Sequence, residues 1–171
     1  RMFGPLGDQR YDGYAHDIVQ SGSHLVDIIG EILDMTRLEA GKMELHEEAC
    51  SVPALIGDAL RIAQPGMRAK DIALVYDHPA GPEPRVLCDP VKIRQVLINL
   101  LSNASKFTQE GGRIEIRVHD GDPLRIDIAD TGIGIAEKDQ ERVLTPFAQV
   151  ENTYARRYQG AGLGLSLSKA L

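Results

Sequence analysis

The first clear pattern in the chain is a seam of positions at Tyr14, Ile18, Ser21, Leu25, Ile28, Ile32 and Met35. Its steps alternate four and three, the spacing of a coiled-coil stripe, and predict one long helix over 11–40. Gly41 follows as a natural stop. Such a seam needs a second helix against it, from a segment before residue 1 or from another subunit. Beyond Lys42 the patterns shorten. Residues 43–50 read as an edge strand, and Ser51 as the cap of a helix to Gln64 that Pro65-Gly66 closes. Residues 72–76 read as a strand. A Pro/Gly-rich loop over 79–84 leads to a short strand at 86–88. Asp89-Pro90 is a helix cap followed by proline at the first helical position, and opens a helix to Phe107. Residues 113–119 and 124–130 alternate with period two around Gly121-Asp122-Pro123, which predicts a hairpin. A short helix over 136–144, a polar segment over 149–159 and a Gly-rich turn into a last helix complete the series. Strands and helices are mixed, with an antiparallel hairpin, so the class is α+β.

Composition narrows the function classes. The 171 residues are 43% hydrophobic, enough for one domain plus a small appendage. Tryptophan is absent, so aliphatic side chains fill the core. A net charge of −6 argues against a nucleic-acid partner. Cys50 and Cys88 match no metal or redox spacing, and a reduced cytoplasmic setting is the default. No apolar run approaches the roughly 20 residues of a membrane helix, and no signal peptide is visible. The chain begins without methionine and stops in an apolar stretch, which reads as an excerpt. Any membrane attachment is then expected from other parts of the parent protein.

Three segments carry candidate chemistry. On the helix from Pro90, Asn99, Asn103 and Lys106 stand at i, i+4 and i+7 and form one polar stripe. Asparagine oxygens suit a hard cation such as Mg²⁺, and a lysine suits phosphate. A plain solvated helix face has the same pattern. In Asp130-Thr131-Gly132-Ile133-Gly134-Ile135, Asp130 continues the parity of Leu124, Ile126 and Ile128, so it is expected to face the core side. A buried carboxylate needs a donor, and the exocyclic amine of an adenine is one. Gly132 and Gly134 allow a sharp turn and the close approach of a flat ring. The alternative is a structural aspartate closing a turn. Finally, Gly160-Ala161-Gly162-Leu163-Gly164-Leu165 opens a helix, where free N–H groups suit phosphate. The preceding polar segment holds Arg156 and Arg157 and is expected to act as a charged lid.

In this order and spacing the segments resemble the histidine kinase family, whose catalytic domain has the Bergerat (GHKL) ATP-binding fold, an α/β sandwich. The stretch Asn99 to Thr108 resembles the N box and Asp130 to Ile135 the G1 box. Thr145-Pro146-Phe147 resembles the F box, and Gly160 to Leu165 the G2 box. The end of the first helix, Ile32 to Lys42, is similar to the second helix of the family's dimerisation hairpin. The leading Met2-Phe3-Gly4-Pro5-Leu6-Gly7 is most similar to cell-cycle sensor kinases of the PleC and DivJ kind. The resemblance implies a partial hairpin over 1–47 and a C-terminally truncated catalytic domain over 48–171. It implies that Asn103, with Asn99, holds Mg²⁺ on ATP, and that Lys106, Arg156 and Arg157 contact phosphates. Asp130 would accept from the adenine amine, with Gly132, Gly134 and Phe147 also in the nucleotide site. Gly160, Gly162, Leu163 and Gly164 would cradle the phosphates. The γ-phosphoryl would pass to a histidine and then to an aspartate of a response-regulator receiver domain, within a homodimer formed through the hairpin.

The chain departs from the family pattern at three points. The acceptor belongs in a His-Glu-Leu-Arg-Thr-Pro-like box, and none of His16, His24, His46, His78 and His119 lies in one. His16 and His24 are read as surface helix residues. The last helix usually continues and is followed by two strands, and Ala161 stands where threonine is common. ATPases of the Hsp90, MutL and gyrase kind share the boxes but place a glutamate four residues before the metal-binding asparagine. Asn99 occupies that position here and cannot act as a general base. A degenerate kinase serving as a response-regulator scaffold predicts damaged boxes, and these are intact.

Overall fold

Residues 9–78, 80–149 and 161–171 are described by the computed structural model, which divides into two units, 1–43 and 44–171. In the first unit the seam forms α1, Gln9–Glu39, with Ile18, Leu25 and Ile32 exposed along it. Its stop works as the sequence predicts. Gly41 takes φ +62°, Lys42 N–H donates to Arg37 O at 2.8 Å and Gly41 N–H to Leu38 O at 3.0 Å, which satisfies the last carbonyls. The side chain of His24 lies outside the described residues, as does the segment 1–8.

In the second unit, two helices cover one face of a sheet. β1, Glu48–Ser51, pairs antiparallel with β3, Arg85–Cys88. The larger sheet has the order β2-β4-β5, with β2 Ala73–Asp77, β4 Arg113–His119 and β5 Arg125–Asp130. β2 runs parallel to β4, and β4–β5 is the predicted hairpin, with Ile116 opposite Ile128. On β4, Ile114, Ile116 and Val118 are buried while Arg113, Glu115 and Arg117 line the other face. The buried row packs beneath α2, Val52–Ala69, and α3, Pro90–Phe107, against Ile56, Met67 and Leu101. Among the described residues no helix is long and apolar enough to cross a membrane.

Three expected boundaries are corrected. α2 does not stop at Gln64 but runs through Pro65-Gly66 to Ala69. The buried series Ala59, Ala63 and Met67 keeps its four-residue step through the proline, and burying Met67 outweighs the helix-breaking preference. The strand expected over 43–50 begins only at Glu48, because His46 N–H turns to Asp89 Oδ2 at 3.0 Å instead of entering a ladder. The helix expected over 136–144 splits into α4, Glu137–Gln140, and a 3₁₀ turn, Arg142–Leu144. Neither piece has a buried residue to propagate it, and Thr145 Oγ1 donates to Arg142 O at 2.7 Å, tightening the end.

Asp89 joins the entry segment to α3. One carboxylate oxygen accepts from Val91 and Lys92 N–H at 2.9 and 3.1 Å, and the other from His46 N–H. Donation from His46, then Lys92 and Val91, holds its pKa below the ordinary carboxylate range. A depressed folded-state pKa contributes stability above the unfolded value, near pH 4, that is lost as pH falls through the folded value. Asp127, held at about 2 by Arg125 and then His119, acts in the same direction. Urea midpoints should therefore fall between pH 5 and pH 3, and Asp89→Asn should flatten that fall. An unchanged slope in the variant would remove Asp89 from the account.

Cys50 and Cys88 are free thiols on the paired strands β1 and β3. Burial and the neighbouring Cys50 thiol push Cys88 up to about 11, so it stays protonated and unreactive.

Candidate functional site

The site is built around α3. Asp89 caps its start, Pro90 stands in its first turn, and Leu97, Leu101 and Ala104 bury its inner face. Asn99, Asn103 and Lys106 lie half-buried along its flank, as the i, i+4, i+7 spacing predicts. Asn103 Nδ2 donates to Asn99 Oδ1 at 3.2 Å, so the two carboxamides form a pair. Lys106 Nζ lies 5.2 Å from the centre of the Phe107 ring. It also borders a groove of about 320 Å³ between α2 and α3, lined by Ile62, Gly66 and Lys70.

At the C-terminal end of α3 the turn after β5 docks on the helix. Ile133 N–H donates to Phe107 O at 3.4 Å, and Thr131 ties to Arg113 through both N–H and Oγ1. A Cβ placed on Gly132 would stand 2.7 Å from Phe107 O and 2.6 Å from Asp130 Oδ1, so only glycine fits there. Gly134 takes φ +66°, the left-handed region that glycine favours. Asp130 departs from expectation. It keeps the parity of Ile126 and Ile128 but is exposed, because the helical layer ends at Phe107 and the carboxylate emerges at the rim of the sheet. Its Oδ1 accepts from Gly132 N–H at 2.8 Å, as a turn-closing aspartate does, and Oδ2 remains as a second acceptor.

Toward the middle of α3 the last helix, α5, Gly164–Ala170, meets Asn99. Asn99 Nδ2 donates to Ser168 Oγ at 2.7 Å. A Cβ on Gly164 would collide with Asn99 Oδ1, so the glycine allows this contact. Leu163 is 1% exposed and anchors the helix start. Gly162, at φ +71°, backs onto Phe147 Cα and Ala148 O. Phe147 itself holds φ +61° and is exposed, an unusual conformation for a bulky residue. Arg156, Arg157 and Gly160 lie outside the described residues.

The structure thus gathers Asn99, Asn103 and Lys106 with Gly132 at one end and Gly162, Leu163 and Gly164 at the other. Sequence reasoning missed Ser168, which docks α5, and Lys70. Lys70 Nζ donates to Ser105 O, Lys106 O and Thr108 O at 2.8, 2.7 and 3.1 Å and so closes the end of α3. Neither contact has a local signal. Among the described residues, no three His, Cys, Asp or Glu side chains cluster to hold a metal ion. A divalent cation here would rest on the asparagine pair together with a ligand's own oxygens.

Comparison with known proteins places these features in one family. Residues 88–171 match the family described as histidine kinase-, DNA gyrase B-, and HSP90-like ATPase. The chain is 45% identical to the non-motile and phage-resistance protein of Caulobacter vibrioides over 99% of its own length and 20% of that protein's. It is 40% identical to the circadian input-output histidine kinase CikA of Synechococcus elongatus, over 99% of its length and 22% of that protein's. The chain therefore spans about a fifth of the curated relatives it matches. Among solved structures, full-length ShkA in complex with AMPPNP superposes with TM-score 0.78 at 28% identity, covering 95% of this chain and 34% of that one. The catalytic domain of histidine kinase ThkA superposes with TM-score 0.63 at 30% identity, covering 74% of this chain and 78% of that one. ThkA in complex with the response regulator protein TrrA superposes with TM-score 0.64 at 28% identity, over 84% and 42%. The match over 88–171 spans the same α3 flank, glycine turns and final helix that form the site, and the chain, with its mixed α/β fold, belongs to the histidine kinase family.

Proposed function

We propose that this chain binds Mg²⁺-ATP and serves as the catalytic part of a two-component sensor histidine kinase. The observation that carries the reading is the convergence on α3, with the Gly132 turn docked at Phe107 O and Gly164 seated on Asn99. Asn99 and Phe107 are eight residues apart, roughly 12 Å along the helix, a span that suits a nucleoside triphosphate laid along its flank. In this reading Asp130 Oδ2 accepts from the adenine amine, and Gly132, Gly134 and Phe147 shape the base pocket. Lys106, Arg156 and Arg157 offer positive charge to the phosphates, and the backbone of Gly160, Gly162, Leu163 and Gly164 cradles them. Asn103, paired with Asn99, would supply the hard oxygen for Mg²⁺, which when bound would offset the negative charge of the phosphates.

The phosphoryl acceptor is a histidine outside residues 1–171, and a response-regulator aspartate receives the group next. The ThkA–TrrA complex supports that partnership. We assign residues 1–47 to the second helix of a dimerisation hairpin and 48–171 to the catalytic domain, in a homodimer working in the cytoplasm. The exposed Ile18, Leu25 and Ile32 on α1 support the hairpin. A hydrolase reading is disfavoured, because Asn99 has no basic lone pair with which to activate water.

Calorimetric titration with a non-hydrolysable ATP analogue tests the reading. Saturable binding that tightens when Mg²⁺ is added is expected. A folded sample, judged by circular dichroism, that takes up no nucleotide would overturn it in favour of a scaffold.

A further inference from the structure

We propose that Phe107 is a positioning residue, whose ring draws the Lys106 ammonium to the asparagine flank of α3 before a nucleotide arrives. The proposal rests on the nucleotide-site reading of Lys106 and concerns what holds that side chain in place.

Helical side chains lean toward the N-terminus, so each lies over the residues three and four positions earlier. Lys106 therefore has two courses, beside Ser102 or beside Asn103. The first leads into the groove between α2 and α3, which Ile62, Gly66 and Ser102 line. The second leads onto the flank of Asn99 and Asn103, and Phe107 leans back toward the same Asn103. Successive residues on a helix point about 100° apart and do not face each other. The 5.2 Å between Lys106 Nζ and the centre of the Phe107 ring thus marks a stem bent toward the asparagine side. An aromatic face attracts a cation at this range. It carries no net charge, whereas a carboxylate in its place would repel phosphates and compete with them for the ammonium. The N–H groups turned away from the ring stay available to phosphate oxygens.

The ring stands on a fixed base. Lys70 Nζ donates to Ser105 O, Lys106 O and Thr108 O, and Ile133 N–H donates to Phe107 O at 3.4 Å. The lysine stem is the flexible partner, and ordering it costs entropy. Holding it in advance removes part of that cost from binding.

Affinity for the ATP analogue is measured in the unaltered chain, Phe107→Leu, Lys106→Met and the double variant. A fifth chain carries pentafluorophenylalanine at position 107, a ring of similar shape with its face charge reversed. Phe107→Leu should weaken binding by about three- to fivefold, and the fluorinated ring by at least as much. Lys106→Met should weaken it further, and adding Phe107→Leu to Lys106→Met should change nothing more. In spectra without nucleotide, the Lys106 Cε protons, assigned through Lys106→Met, should show an upfield ring shift that Phe107→Leu abolishes. An absent ring shift overturns the proposal, as does unchanged or tighter binding in the fluorinated chain. So does a loss of equal size when Phe107→Leu is added to Lys106→Met, which would make the ring a packing element. If the ring shift is present but the unaltered chain binds no analogue, or Lys106→Met binds it equally well, the nucleotide-site reading of Lys106 fails and this proposal with it.

Discussion

Asp130→Asn should weaken binding of an ATP analogue by roughly 30- to 150-fold while leaving the thermal midpoint within about 2 °C of the unaltered chain. The expectation follows from counting acceptors. Asp130 Oδ1 is already engaged by Gly132 N–H at 2.8 Å, so a base amine must be met by the other oxygen. An asparagine has one oxygen. If that oxygen keeps Gly132, its NH₂ faces the adenine NH₂, donor against donor. If it turns to the base, Gly132 N–H loses its partner and the turn loosens. The carboxylate is exposed and caps no buried group, so the fold itself should be indifferent. Calorimetry with matched melting curves checks this, and a variant that binds the analogue as tightly as the unaltered chain would place the base elsewhere.

Lys70→Met should lower stability by about 2–3 kcal/mol, or the thermal midpoint by roughly 5–10 °C. The ammonium of Lys70 donates to three carbonyls at the end of α3, Ser105 O, Lys106 O and Thr108 O. These are groups that a helix terminus cannot satisfy within itself, and a cation there also complements the helix dipole. Methionine keeps the stem and removes all three donors at once. Because the same end of α3 receives the Gly132 turn through Phe107 O, nucleotide affinity should fall as well, though less than in Asp130→Asn. Thermal melts of the two variants should show opposite patterns, one losing binding at constant stability and the other losing stability first. A Lys70→Met protein that melts with the unaltered chain would mean that water replaces the cap at no cost.

Much of the site is legible in the sequence because its signals are local. The Asp89-Pro90 start, the Asn99–Asn103–Lys106 stripe and the glycine spacings around 132–134 and 162–164 each show within a turn or two of sequence, although the groups that Gly132 and Gly164 meet, Phe107 O and Asn99, lie far along the chain. What could not be read depends on distant partners. Ser168 reaches Asn99 across 69 positions and Lys70 reaches Ser105 across 35, and no periodicity encodes either meeting. The overrun of α2 past Pro65 has the same origin, since Met67 is buried only once the helix lies on the sheet. Asp130 shows the converse. Strand parity gives the direction of its side chain but not the place where the covering layer ends, so a residue expected under the helices stands at their rim.

The parallel pairing of β2 with β4 also bears on how the chain reaches this structure. It joins Ala73 to Arg113, about 40 residues apart, with β3 and all of α3 in between. The β4–β5 hairpin closes over only a short turn. Chain closure over the longer distance is entropically slower, so the hairpin and α3 should form early and β2 should join last. The rate of assembly is then set by the arrival of β2 on a surface that α3 has already prepared, and slowing α3 would slow everything after it.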